Sequence, residues 1–483
     1  MFLNPPEYLV TLQSNVRARP ISWEGAVRAK TLSEADLKKI RSIDKVRKEQ
    51  RKQTIEADVQ VYTDLLLGND GNKSIFESAV KRTDIVQYML VLTGDLIDDV
   101  PALSDSLVKH AHPFQPFLPL LKQSSNSEDP IPLLASSVLT SILAHAIVAQ
   151  PKSTPEIHDA LPKLYSYIAT LSNTSDADLQ DIAVQEYSAM LRTVSARKQF
   201  WDQRKETLTP LVEVLRKATG GKDSDSTVFN GTSAGSSIRT LAQSNIKVSG
   251  VSLRLLYHIL LVVWQLSFEG ELVGKGLDEE HDIIPLYTQL VRVSPTEKTT
   301  RLLLATLNNL LSTNKATLMP AALPARLPYI LTNLKSRNLT DPDLLEDLDN
   351  LVNMVEEYTK TQTTFDEYSS EVQSGHLRWS PPHKDQAFWR ENALRVIEEN
   401  KGELCRKLAE ILGKDWQNDK QVLAIGCSDV AYLVKECPTK RQQLEKFGLK
   451  TRIMALMQDE NETVRWESLR AVGEWLRYSF DSQ

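Results

Sequence analysis

The chain has 483 residues, more than one ordinary core accommodates, so two domains or one extended repeat array are expected. Its 57 basic and 63 acidic residues leave a formal charge of −6, which argues against a protein built to neutralise nucleic-acid phosphates, and no nucleic-acid partner is expected. Three cysteines, Cys405, Cys427 and Cys437, with no CxxC pair, argue against a disulfide framework or a zinc site and read as small buried hydrophobes in a reducing compartment.

The first residues, Met-Phe-Leu-Asn-Pro-Pro-Glu-Tyr, have no basic stretch followed by an apolar one, so no signal peptide and a cytoplasmic location are expected. Ser33 and Asp36 form a capping-box pattern, with Leu32 and Leu37 placed to staple across it, and the helix they open is predicted to run toward Leu67. Lys38, Lys39, Arg41, Lys45, Arg47, Lys48, Arg51 and Lys52 make that helix strongly basic, with only Asp44 and Glu49 interspersed. A charge run is first of all a solvated face. The alternative is docking to an acidic helix or an anionic surface, where each basic residue contributes about 1 kcal/mol. Lys38, Lys39, Arg41, Lys45 and Lys48 are therefore candidates for partner contact.

Further along, His110-Ala-His112 has no third ligand at metal spacing and reads as a solvated loop, while His145 and His258 lie in apolar helical runs as hydrogen-bonded core histidines. Apolar residues recur at three- and four-residue steps, as in Leu303, Leu307, Leu310 and Leu311, and again in Leu469, Val472 and Leu476. Strand-like alternation is scarce. Breaks are expected at Pro113 to Pro119, Pro151 to Pro155, Pro320 to Pro328 and Pro438. The most apolar run, Leu255 to Trp264, is interrupted by His258 and falls short of the ~20 residues a membrane helix needs, so it reads as a buried helix.

Two distant stretches share one grammar. Pro285 to Val291 followed by Arg301 to Leu311, and Thr451 to Met457 followed by Arg465 to Leu476, each read as a helix, a polar turn and a longer amphipathic helix. That is the pattern of armadillo or HEAT repeats, units of ~40 residues that stack because none buries its apolar face alone. The fold expected is all-α: a right-handed superhelix of such repeats over 1–358, then a smaller C-terminal helical-repeat domain over 376–483. Residues 219–250, rich in Gly, Ser, Thr and Asp, read as a mobile insertion, and the polar stretch 359–375 as the interdomain linker.

Chemistry is poorly supported. Gly231-Thr-Ser-Ala-Gly235 matches a nucleophile elbow around Ser233, but no strand-turn-helix context surrounds it. Gly221-Lys222, Gly274-Lys275 and Gly413-Lys414 are followed by Asp, Gly and Asp, so no phosphate-cradling Gly-Lys-Ser/Thr occurs. The expectation is a protein without catalytic residues, cofactor or metal.

The densest motif is Leu377 to Asn392, Leu-Arg-Trp-Ser-Pro-Pro-His-Lys-Asp-Gln-Ala-Phe-Trp-Arg-Glu-Asn. It resembles the H subunit of vacuolar-type proton-pumping ATPases, whose Trp-Ser-Pro-x-His-Lys, aromatic pair and Glu-Asn are matched by Trp379, Ser380, Pro381, His383, Lys384, Phe388, Trp389, Glu391 and Asn392. Trp379, Phe388 and Trp389 read either as the core of the C-terminal domain or, being hot-spot types, as a docking patch together with His383 and Lys384. The resemblance implies a non-catalytic regulatory subunit on the cytosolic face of vacuolar or endosomal membranes, meeting the membrane only through its complex. It implies an N-terminal domain on the E and G stator subunits and a C-terminal domain on the cytoplasmic part of the a subunit. It further implies support of coupled ATP hydrolysis and proton pumping in the assembled pump. When the sectors separate, the C-terminal domain would bridge the catalytic hexamer and the rotor and silence hydrolysis. On that basis 359–375 becomes a candidate hinge, and the turn Gly413 to Lys420, with Lys414, Asp415 and Trp416, a candidate inhibitory contact. The competing reading is an armadillo adaptor for linear peptides in transport or vesicle trafficking, hinted at only by Asn308-Asn309.

Overall fold

The computed structural model describes residues 5–69, 71–122, 130–149, 154–220, 247–248, 250–361, 364–416 and 419–480. Most of the expected insertion, including Ser233 and its flanking glycines, lies outside them. The described residues are helical almost throughout; beyond an isolated Asn69–Asn72 bridge, the one sheet among them pairs Lys247–Val248 with Val251–Ser252. By internal contacts they fall into two compact units, one within Met1–Ala218 and Ala242–Glu269 and one within Gly270–Gln483. This division falls elsewhere than the polar stretch 359–375.

In the first unit the N-cap half of the capping box forms: the Ser33 hydroxyl accepts the Asp36 amide at 3.0 Å and donates to the Asp36 carboxylate at 2.6 Å, and Leu32 and Leu37 are both buried. The helix does not run to Leu67. Glu34–Ile43 ends where Lys45 takes a left-handed backbone, and the chain resumes as Lys48–Ala57 and Val59–Leu67, the last capped by Asp58. Tyr88 donates to Asp44, and Arg51 Nε to the Ile43 carbonyl at 3.1 Å, which fixes the turn. The basic run is thus shared between two helices and a turn.

Ile131–Ala149 is a nineteen-residue helix without Asp, Glu, Lys or Arg, long and apolar enough by length and composition to cross a membrane. It packs instead against Thr83–Asp99, Pro101–Lys109, Pro155–Ser172 and Ala177–Met190. Most of its length is buried by these neighbours, while the face at Ser137, Ser141, His145 and Val148 stays partly open. It is a longer apolar helix than Leu253–Ser267, where the sequence places its most apolar run; that helix is buried as expected.

In the second unit both helix pairs are present, Ile283–Val293 with Glu297–Thr313 and Leu449–Leu456 with Glu462–Phe480. Thr296 caps the second helix of one pair by accepting the Thr299 amide, and Asn461 caps that of the other by accepting the Thr463 and Val464 amides. Leu303, Leu307, Leu310 and Leu311 are buried. Leu469 and Leu476 are not: Glu462–Phe480 packs on Gln421–Glu436 and Leu449–Leu456 through Val464, Ser468, Ala471 and Trp475. The small Ser468 and Ala471 allow close approach, and Trp475 supplies the apolar area.

Residues 359–375 differ most from expectation. Pro342–Thr361 continues as helix, and Thr364–Ser374 is a further helix that buries Phe365, Tyr368 and Val372 in the C-terminal core and packs on Lys315–Ala322. Three apolar residues on one face suffice to anchor a helix whose other faces are polar. Pro320 also departs from its expected role as a breaker, lying inside Lys315–Ala322.

Candidate functional site

The motif around His383 forms the centre of the C-terminal core. Pro381–Lys384 is a single helical turn; Asp385 then accepts the Ala387 amide at 2.8 Å and caps Gln386–Glu398. His383 is thereby held between Thr364–Ser374, which supplies Glu371, and Gln421–Glu436, which supplies Asp429. Its Nδ1 lies 2.8 and 2.9 Å from the two Asp429 carboxylate oxygens, and its Nε2 lies 2.8 Å from Glu371 Oε2. All three side chains are buried.

With a carboxylate on each ring nitrogen, both nitrogens donate only if the ring is an imidazolium. Burial alone would push the imidazole down; the charge and hydrogen bonds of Asp429 and Glu371 outweigh it and push it up to about 10. Burial also pushes the Asp429 carboxyl up, against the lowering by His383. Tyr368 packs on this cluster, its ring 5.3 Å from the imidazole, 5.4 Å from Phe388 and 5.1 Å from Trp389 between centroids. Trp389 in turn stacks on Tyr432 at 5.6 Å, with the rings 5° from parallel.

His383, Phe388 and Trp389 are therefore enclosed, and direct contact with a partner is not open to their side chains. The bulk of the aromatic pair fills the core, which is the first of the two readings of the motif. The Trp389 indole N–H, a group that ordinarily has an acceptor when buried, has none among the described residues. Trp379 is only partly buried, with Lys384 Nζ 5.6 Å above its ring, so this pair remains at the surface. Glu371 and Asp429 went unnoticed in the sequence. Asp429 had a signal, as the lone charge between Val422 and Val434, whereas Glu371 sits in a stretch polar enough to hide it.

In the turn after Glu403–Ile411, Lys414 and Asp415 are exposed, while the Trp416 indole N–H donates to the Ile411 carbonyl at 2.9 Å. Lys414 Nζ stands 5.4 Å over the Trp416 ring, and His376, paired with Asp282 at 2.8 Å, meets its edge. Residues 417–418 of the turn lie outside the described residues. Of the basic candidates, Lys39 pairs with Asp36 at 3.1 Å, Lys48 with Asp99 at 2.6 Å and Arg41 with Glu24. Lys38 and Lys45 are exposed. His258 is a buried histidine paired with Asp181, but His145 is a partly exposed partner of Asp105 at 2.7 Å and not a core residue. The His110 ring accepts the His112 amide within a loop. Burial pushes the Cys405 thiol up to about 12 and the Cys427 thiol higher, so both stay protonated and inert at neutral pH.

Stacked helix pairs, one of them packed beside a sealed charge cluster, define a helical-repeat scaffold whose accessible candidates lie on helix faces and turns. The two profiles that describe the H subunit of the V-ATPase match residues 7–355 and 361–480, so the chain belongs to the V-ATPase H-subunit family. It is similar to the V-type proton ATPase H subunit of Drosophila melanogaster, 26% identical over 97% of this chain and 90% of that protein. It is likewise similar to the V-type proton ATPase H subunit of Dictyostelium discoideum, 24% identical over 95% of this chain and 92% of that protein.

Proposed function

We propose that this regulatory subunit supports coupled ATP hydrolysis and proton transport in the assembled vacuolar pump and inhibits hydrolysis by the detached peripheral sector. The observation that carries the reading is the family match along both halves of the chain, 7–355 and 361–480. Within it, the N-terminal repeats bind the E and G stator subunits, and the C-terminal region meets the a subunit or, in the detached sector, the catalytic hexamer and rotor. The protein then works on the cytosolic face of vacuolar or endosomal membranes. Lys414 and Asp415, exposed on their turn, are the contact residues proposed for inhibition, and Lys38 and Lys45 those proposed for an acidic partner.

The change of partner does not pivot within Thr364–Ser374, because bending that helix would unpack Phe365, Tyr368 and Val372. The adaptor reading loses part of its support, since Asn308 Nδ2 is taken up by Asp347 at 3.0 Å. Mixing the purified chain with an E–G heterodimer and resolving the mixture by size-exclusion chromatography tests the stator contact. Co-elution of the unaltered chain is expected, weakened by added salt and weakened also by Lys38→Glu/Lys45→Glu. Separate elution of the unaltered chain would remove the stator from the proposal.

A further inference from the structure

The outer face of Glu462–Phe480 carries a second pattern, opposite to its core face. Trp466 is 69% exposed, and Leu469 and Leu476 are each 49% exposed. With Gly473 they fall at steps of three, four and three, the spacing of a coiled-coil seam. The positions flanking such a seam hold Arg465, Arg470 and Arg477, with Val472 between them. Arg465 donates to the Asp459 and Glu460 carbonyls, and Arg470 to Ser428 while pairing with Glu467, so both are fixed in place and still partly exposed. Arg477 is exposed, beside Glu474 at 4.0 Å. Glu462, at the start of the helix, is the exposed acid on this face.

Gly473 is the telling residue. A Cβ there would meet nothing within 4 Å, so packing inside the chain does not require glycine, and glycine in mid-helix costs stability relative to alanine. A notch at the centre of an apolar seam has a use when a second helix lies across it. We infer that this face is a docking site for an amphipathic helix of another protein, one with an apolar seam flanked by Glu or Asp. Three spaced side chains and a notch fit a helix better than a membrane surface, which needs no notch and no register. This holds whichever component of the pump supplies the helix.

Two three-heptad helical peptides test it on the full chain by fluorescence anisotropy, both with a leucine seam, one flanked by Glu and its twin by Lys. The Glu-flanked peptide is expected to bind roughly tenfold or more tighter than its twin, with Leu469→Glu abolishing the difference. Gly473→Ala is expected to raise the unfolding midpoint by a few degrees while weakening that same peptide. Opposite signs in stability and binding cannot come from misfolding. Equal binding of the twins, no binding of either, or binding untouched by Gly473→Ala would overturn the inference. Capture of phosphatidylserine vesicles without peptide binding would replace it with a membrane contact, and self-association in the ultracentrifuge lost in Leu469→Glu protein would replace it with a second copy of the chain.

Discussion

His383 bridges three segments of chain, and its protonation can be read directly. Nitrogen-15 NMR of the ring at pH 8 should show both nitrogens protonated; an imidazole titrating near its ordinary 6.5 would contradict the cluster. Because the folded state raises this group above its unfolded value, its contribution to stability is full below about 6.5 and is lost as pH rises through about 10. Asp429→Asn should cost about 3 kcal/mol or more in denaturant unfolding at neutral pH, since it leaves a buried cation short of its counter-charge. The wild-type disadvantage at alkaline pH should shrink in that variant. His383 was visible in the sequence as part of a dense motif, but its chemistry was not. Its partners lie 12 and 46 residues away, and only packing brings them together.

Turns between helices show where the backbone itself constrains the residue. Gly402 opens Glu403–Ile411 with φ of +80°, and a Cβ on it would come within 2.3 Å of the Phe447 ring. Gly448 opens Leu449–Leu456 with φ of +85° and open space around it. Gly448→Ala should therefore cost only the backbone strain, about 1–3 kcal/mol, and Gly402→Ala measurably more, by thermal unfolding of the two proteins. Equal losses would mean that the Phe447 contact yields freely. At this scale the helix-pair grammar, the Ser33 cap and the Leu303 to Leu311 face were legible, because caps and helical periods are local. Thr364–Ser374 was not, since its three buried apolar residues are outnumbered by polar neighbours and composition masks their spacing. The Leu469–Leu476 stripe was legible as a periodic face, but periodicity does not say whether the chain or a partner covers it.

For the whole molecule, the sequence conveyed helical repeats and the family resemblance at His383, and the structure adds which signature residues are sealed and which remain outside. The sealed ones hold the C-terminal region together; the work proposed for the chain falls to surfaces such as Lys414, Asp415 and the basic turn at Lys45. ATP hydrolysis by the purified, detached peripheral sector of the pump, stripped of its own copy of this component, tests the central claim most directly. Added stoichiometrically, the chain should suppress hydrolysis, and Lys414→Glu/Asp415→Lys protein of unchanged stability should suppress it less. Hydrolysis that continues at the same rate with the chain demonstrably bound would contradict the account.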